Sequence, residues 1–450
     1  MTKPVHTVKL WPDSALDNLT AVVAADRNRI LDWRDKVTIP SWYGSTASAV
    51  AQESYGLDAL STPVMTLDGV ILEANIEGMQ SWLSARGLKH APHGKTTMAP
   101  EIWLQQLRAG SWGITVANEP QLRLALAVGV PRILLANLLI RPAGVTWLAA
   151  TLAELPDTDF YCWIDSVSAA DQMCDALEST GATCQIKVLL EVGHPAGRTG
   201  VRTVTQAHEV ANRVRASDGL RLVGVAGFEG VVTHGTDEES LAAVDGFLHQ
   251  LVAVHRSLGE AYEVSNPILS AGGSAYFDRV AQILGPEQDD QPGTVPGTMV
   301  VLRSGAYVAN DDGFYRETTL ARGDNGPTLR SAMHVWARVI SLPEPGVAFL
   351  DAGRRDVPFD LSLPEPQLLR RLDESGTVHS FELNNHSVIG LNDQHAEMSL
   401  PPDSPIRVGD VVRFGLAHPC TAFDKWSLIP VLDDAAGMSP VVTGFVRTYF

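Results

Sequence analysis

Cysteine is scarce in this chain: 450 residues hold four, Cys162, Cys174, Cys184 and Cys420, with no C-x-x-C pair among them. That spacing excludes the disulfide framework of small secreted scaffolds and suits a reducing cytoplasm. Long apolar runs are missing as well. The most apolar stretch, Leu122 to Ile140, is broken by Gly129, Pro131 and Arg132, so no segment offers the ~20 uninterrupted residues that cross a bilayer. The opening residues, MTKPVHTVKLWPDSAL, lack the apolar core of an export signal. Basic residues are outnumbered, 34 Lys and Arg against 52 Asp and Glu; the formal net charge of −18 repels a phosphate backbone and argues against nucleic acid as a partner. No internal repeat of fixed period is present. What remains is 45% apolar and 19% charged residues, the balance of a globular protein with a sizeable core. The length suits several domains, or a large barrel with a smaller companion.

From about residue 62, short apolar runs alternate with helical stretches. The runs are PVMTLD, LKHAPHGKTT, WGITVAN, RILLAN, FYCWID, QIKVLLEVG, LRLVGVAGFEG, PILSAGGS and TMVVLRSG. Their near-continuous apolar character suits parallel strands buried on both faces. Between two of them, Ala207, Val210, Ala211 and Val214 fall on one helical face. Strand and helix alternating about eight times predict an α/β fold of the (β/α)8 TIM-barrel kind over residues 61–325. After about residue 325 the pattern changes to short runs broken by Gly, Pro and Asn, such as GVAFLDAG and RVGDVVRFGL, which predict a C-terminal β domain over 326–450. Residues 1–60 form an N-terminal extension, expected to pack with the β domain. The polar stretch GPEQDDQPGTVPG at 285–297 reads as a surface loop.

Barrel enzymes carry their chemistry at the C-terminal ends of the strands. The second run ends HAPHGKTT. Most lysines are solvated surface residues, but Lys95 closes an apolar strand beside His90, His93 and Gly94, where partial burial makes its amine available as a nucleophile toward an aldehyde cofactor or a carbonyl substrate. The eighth run ends in Gly272, Gly273 and Ser274, whose small residues let backbone N–H groups approach a phosphate, although a tight turn is the plainer reading of such a segment. Lysine and phosphate cradle on one barrel face suggest pyridoxal phosphate. Arg198, in the Gly-rich loop after the sixth run, is either an ordinary surface residue or a contact to the cofactor ring, its O3′ or a substrate carboxylate. In the C-terminal region, His418 and Cys420 flank Pro419; imidazole and thiolate are a plausible pair of zinc ligands, against the alternative of a buried structural cysteine. Two ligands leave positions open for water or substrate.

Taken in order, PHGKT at 92–96, EVGHPAGRTGV at 191–201, AGGS at 271–274, RSGAYV at 303–308 and HPCTAFDKW at 418–426 resemble the fold-type III pyridoxal phosphate enzymes, and within them the D-serine dehydratase and D-threonine aldolase group, whose barrel is similar to that of alanine racemase. The resemblance implies Lys95 as the Schiff-base lysine and Gly272, Gly273 and Ser274 around the phosphate. It implies Arg198 near the ring, Tyr307 among the cofactor contacts, and His418 and Cys420 as ligands of Zn2+ or another divalent metal. It also implies a homodimer with active sites near the interface. The His-x-Cys form is similar to the dehydratase branch and His-x-Asp to the aldolases, which tilts the choice toward β-elimination from D-serine or a related D-β-hydroxy amino acid. The alternatives are retro-aldol cleavage to glycine and an aldehyde, racemisation, and a non-catalytic cofactor-binding protein. The segment Asn392-Asp393-Gln394-His395 loosely resembles the group's acidic-His segment and makes His395 a second-tier candidate.

Overall fold

The structure, a computed structural model, describes residues 10–180, 184–195, 197–285 and 294–450. Most of the loop expected at 285–297, and Ala196 within the Arg198 motif, lie outside the described residues. Helices α1 (Asp17–Arg27) and α2 (Ala47–Gln52) precede strand β1 (Val64–Asp68) and helix α3 (Gly69–Ser84). Strand–helix units follow: β2 (Lys89–His90), α4 (Pro100–Arg108), β3 (Ile114–Val116), α5 (Glu119–Ala127), β4 (Arg132–Leu138), α6 (Pro142–Glu154), β5 (Asp159–Ile164) and α7 (Val167–Thr180). The series continues with β6 (Ile186–Val192), α8 (Val204–Arg215), β7 (Leu220–Gly227), α9 (Glu238–Ser257), β8 (Ile268–Ala271), α10 (Phe277–Leu284), β9 (Met299–Leu302) and α11 (Phe314–Arg322). The C-terminal region holds β10 (Met333–Glu344), β11 (Val347–Leu350), β12 (Glu365–Leu372), β13 (Val378–Glu382), β14 (Ser387–Leu391), β15 (Ala396–Ser399), β16 (Val411–Gly415), the short α12 (Pro419–Phe423), β17 (Leu428–Leu432) and β18 (Val442–Arg447). Among the described residues no helix is long and apolar enough to cross a membrane.

Eight strands pair in the order β2-β9-β8-β7-β6-β5-β4-β3, with parallel registers throughout. The ends join through Trp112 N–H to His90 O (2.6 Å) and Thr115 N–H to Pro92 O (2.9 Å), which closes the barrel. Period-2 alternation sorts the side chains. On β6, Val188, Leu190 and Val192 pack outward against the helices while Leu189 points inward; on β5, Phe160, Cys162 and Ile164 face out and Tyr161 and Trp163 face in. The same alternation turns Glu191 inward at the functional end of β6. Several helices are capped by side chains that accept otherwise orphaned N–H groups, as Thr203 does for Gln206 and Asp237 for Ser240. On α8, Ala207, Val210, Ala211 and Val214 are the buried face, as the sequence predicts.

The second sheet runs β13-β12-β16-β10-β1-β17-β18, with β11, β14 and β15 attached through β10. Here the structure corrects the strand assignment. The first apolar run, PVMTLD, does not open the barrel; it becomes β1, antiparallel to β10 and parallel to β17 in the middle of the C-terminal sheet. A central strand of a mixed sheet is buried on both faces just as a barrel strand is, so apolar content alone does not separate the two.

The segment before β1 belongs to the same layer. Leu31, Val37 and Trp42 share a buried cluster with Trp336, Leu428 and Phe445, and the Trp42 and Phe445 rings meet edge-on at 5.5 Å. Backbone bonds from Leu57 N–H to Pro440 O (2.9 Å) and from Val442 N–H to Tyr55 O (2.8 Å) tie it down. Trp42→Ala is expected to destabilise the fold by about 3–5 kcal/mol. Thermal unfolding followed by circular dichroism measures this, and an unchanged midpoint would show that the segment adds nothing to the core.

Candidate active site

At the C-terminal mouth of the barrel, beside the second sheet, lies a cavity of about 510 Å³. Lys95 enters it from a single 3-10 turn, Gly94–Thr96, that follows β2 after Ala91, Pro92 and His93. Glycine is required there: a Cβ at position 94 would lie 2.8 Å from the Trp103 ring and 2.9 Å from Ile114 Cγ2. Burial pushes the Lys95 amine below its ordinary range. Cys420 opposes that shift, and the cations Arg198 and Arg303 reinforce it.

His418 and Cys420 reach the same wall from the opposite sheet, on the turn that opens α12. Cys420 Sγ lies 3.5 Å from Oγ1 of Thr96, the neighbour of Lys95, so the lysine and the His/Cys pair stand side by side. Burial by itself would raise the Cys420 thiol; hydrogen bonds with His418 and Thr96 and the charges of His418 and Lys95 outweigh it and hold the thiol below its ordinary value. The partner effect raises His418 to about 9, through its hydrogen bond with Cys420 and its contacts with Asp360. His418 Nδ1 pairs with Asp360, which leaves Nε2 as the other ring nitrogen. Imidazole and thiolate together fit zinc or a similar divalent ion. Among the described residues no group of three or more His, Cys, Asp or Glu side chains is arranged to hold a metal, so the pair makes an open, two-donor site.

The expected phosphate segment lines the cavity, but its first two amides are engaged. Gly272 N–H and Gly273 N–H donate to Glu229 at 3.0 and 2.6 Å, and Glu229 is fully buried. Gly272 has φ +105°, a conformation that favours glycine. Ser274 Oγ accepts Tyr307 N–H at 3.3 Å. The Tyr307 phenol itself turns away from the cavity: it accepts from Gln106 Nε2 (3.0 Å), and its ring rests edge-on against His90 at 5.0 Å. The Tyr307 side chain thus stands outside the cavity lining, while its backbone N–H supports Ser274. Arg198 lies at the mouth, its guanidinium 5.1 Å from the Phe228 ring. His395 is exposed in the turn between β14 and β15 and does not line the cavity; its carbonyl accepts Asn392 N–H.

Several residues that line the cavity carry no role in the sequence reading. Arg303 is 4% exposed; its guanidinium donates to Ser270 Oγ and Gly227 O, both at 2.5 Å, and lies 5.1 Å from the Trp163 ring. Burial brings Arg303 down to about 10 and lifts the Glu191 carboxyl to about 7. Three buried polar atoms on the cavity wall, His93 Nδ1, Trp163 Nε1 and Glu191 Oε2, have no hydrogen-bond partner among the described residues. Buried polar atoms are normally satisfied. An enclosed lysine amine, a buried guanidinium and these three atoms fit a planar, polar, anionic ligand such as pyridoxal phosphate. Trp163 and Glu191 were discoverable, since strand alternation turns both inward; Glu229, Phe314 and Tyr315 gave no local signal.

Comparison with known proteins matches the two parts of the chain separately. Residues 72–282 match the alanine racemase N-terminal domain and residues 332–432 the putative serine dehydratase domain. The chain is 26% identical over 388 residues to a D-threonine aldolase of Arthrobacter sp, covering 85% of this chain and 92% of that protein. It is 26% identical over 345 residues to a 3-hydroxy-D-aspartate aldolase of Paracoccus denitrificans, covering 74% and 83%. Among solved structures, D-threonine aldolase from Filomicrobium marinum aligns with a TM-score of 0.71 at 21% identity over 88% of this chain and 97% of that one. D-threo-3-hydroxyaspartate dehydratase from Delftia sp. HT23 aligns at 0.68 and 22% over 88% and 99%. With a closed parallel barrel of the racemase kind, a dehydratase-type β domain and a lysine at the mouth between them, the chain belongs to the alanine racemase-like, fold-type III family of pyridoxal phosphate enzymes.

Proposed function

We propose that this chain is a lyase that removes the β-hydroxyl of a D-β-hydroxy amino acid, D-serine or a close analogue, to give an α-keto acid and ammonia. The carrying observation is the adjacency of the Lys95 amine to the His418 and Cys420 pair across Thr96. Lys95, Arg198 and Ser274 would hold pyridoxal phosphate, and His418 and Cys420 a divalent metal, zinc by donor chemistry. When bound, the cofactor supplies an electron sink at the α-carbon and the metal a Lewis acid toward the β-hydroxyl.

The protein's own part is positional and electrostatic. A lysine amine held below its ordinary range is neutral in a larger fraction of molecules, so Lys95 Nζ can take the α-proton that the substrate gives up. Arg198 at the mouth offers a guanidinium to the substrate carboxylate. Phe314, Tyr315 and Leu361 line the cavity and limit the water that reaches the reacting carbons.

Retro-aldol cleavage to glycine and an aldehyde is the second reading. It is favoured by the relatives named as aldolases, which this chain matches over most of their length. The two share the residues above and differ in the proton first removed: the α-proton for elimination, the β-hydroxyl proton for cleavage. Protein loaded with cofactor and zinc, given D-serine, D-threonine and 3-hydroxy-D-aspartate, is expected to form keto acid and ammonia without glycine. Glycine with an aldehyde would establish cleavage instead. Loss of optical rotation with neither product would establish racemisation, and no turnover of any substrate would overturn the lyase reading.

The assembly we infer is a homodimer. Phe359, Leu361 and Leu363 are 47%, 53% and 40% exposed, and Leu361 also lines the cavity; these apolar side chains are the surface that a second copy would cover. Light scattering that gives a monomer would remove this inference.

A further inference from the structure

His418 is held by two carboxylates that do different work, and we propose that one of them, Asp360, is a positioning residue for metal binding: it orients the imidazole so that Nε2 is the nitrogen offered to the ion. This rests on the metal reading given above. The backbone of His418 is fixed by Asp311. His418 adopts φ +61°, in the left-handed region that a residue with a Cβ rarely visits, and Asp311 Oδ2 accepts its N–H at 2.9 Å. Asp311 is 1% exposed, and its other oxygen accepts the N–H groups of Gly313 (3.0 Å) and Tyr315 (2.8 Å). The turn is thereby bolted to the start of α11, which carries Tyr315.

The ring of His418 is fixed separately. Asp360 Oδ2 pairs with His418 Nδ1 at 2.5 Å, and Oδ1 accepts from Thr421 Oγ1 at 2.8 Å, while Thr421 Oγ1 also lies 3.2 Å from the His418 carbonyl. Asp360 therefore spans the turn from His418 to Thr421, with Cys420 between its two anchors. An ion that binds at Nε2 displaces the proton there, and the imidazole so left has one N–H. A carboxylate on Nδ1 places it there and leaves the Nε2 lone pair as ligand, and the same bond makes that nitrogen a better donor. Asp360 is exposed, so its pairing contributes little to folding; its value lies in orientation.

The test is a metal titration of cofactor-loaded protein stripped by chelation. Co2+ reports thiolate ligation through its charge-transfer band, and Zn2+ is measured in competition with a chromogenic chelator. Asp360→Asn is expected to weaken metal affinity roughly 10- to 100-fold while reaching the wild-type band intensity at saturation. Asp360→Glu recovers most of the loss, and Thr421→Val, which removes one anchor, shifts affinity in the same direction by less. Wild-type affinity in Asp360→Asn, with binding that still requires Cys420, overturns the positioning role and leaves the metal site standing. A band that persists in Cys420→Ala overturns the ligand assignment, and this inference with it.

Discussion

Lys95→Ala is expected to lose the absorbance band near the visible edge that wild-type protein shows after loading with pyridoxal phosphate, and to lower turnover of its best substrate roughly 10²–10⁴-fold. Two separate contributions meet at this one side chain. In the proposed reaction the amine is the cavity's covalent anchor for an aldehyde, and burial, which lowers its basicity, makes it a readier proton acceptor than a solvated lysine. Lys95→Arg separates size from chemistry: a guanidinium keeps the charge beside Cys420 but neither condenses readily with an aldehyde nor gives up its proton. The arginine variant is therefore expected to behave like the alanine variant. A band of wild-type intensity in Lys95→Ala would show that the cofactor is anchored elsewhere, and retained turnover would show that another group moves the proton.

Cys420→Ala is expected to abolish stoichiometric zinc binding and to lower turnover by on the order of 10²-fold or more, the scale of losing a Lewis acid at the leaving group. The absorbance band should survive, because Lys95 belongs to the barrel and Cys420 to α12 of the C-terminal region. His418→Ala should behave alike. Loss of metal without loss of the band is the separable result that this division of the site predicts. Zinc retained in both variants would reassign the ligands, and unchanged turnover without zinc would make the metal irrelevant to the reaction.

Legibility in the sequence tracked distance along the chain. Lys95, Arg198 and the His418 and Cys420 pair were readable because each sits in a short motif whose neighbours reveal its setting, and all of them line one cavity. The buried face of α8 was readable because helical period and burial coincide. The residues that escaped depend on partners far away. Glu229 meets Gly272 43 positions on, Asp360 meets His418 58 positions on, and Asp311 reaches His418 across 107. No window of local pattern contains such pairs. Tyr307 shows the same limit from the other side: its motif placed the segment at the site, but Gln106, 201 positions earlier, decides where the phenol points. Strand β1 departs from the sheet its pattern predicts for a related reason, since burial on both faces is common to a barrel strand and the centre of a mixed sheet.

The position of β1 bears on how the protein is made. Its partners β10 and β17 emerge from the ribosome only after every barrel strand has been synthesised. During translation the strand waits with both edges open, and the C-terminal layer cannot close around it until the last segment arrives. The barrel is thus an insertion in the chain of the layer that grips its two ends. A fragment cut after the barrel would carry β1 as an unpaired, apolar ribbon, so aggregation of truncated or stalled products is the cost of this wiring. In the finished molecule the same wiring staples entry and exit side by side, which resists hinging of the lysine wall away from the His418 turn.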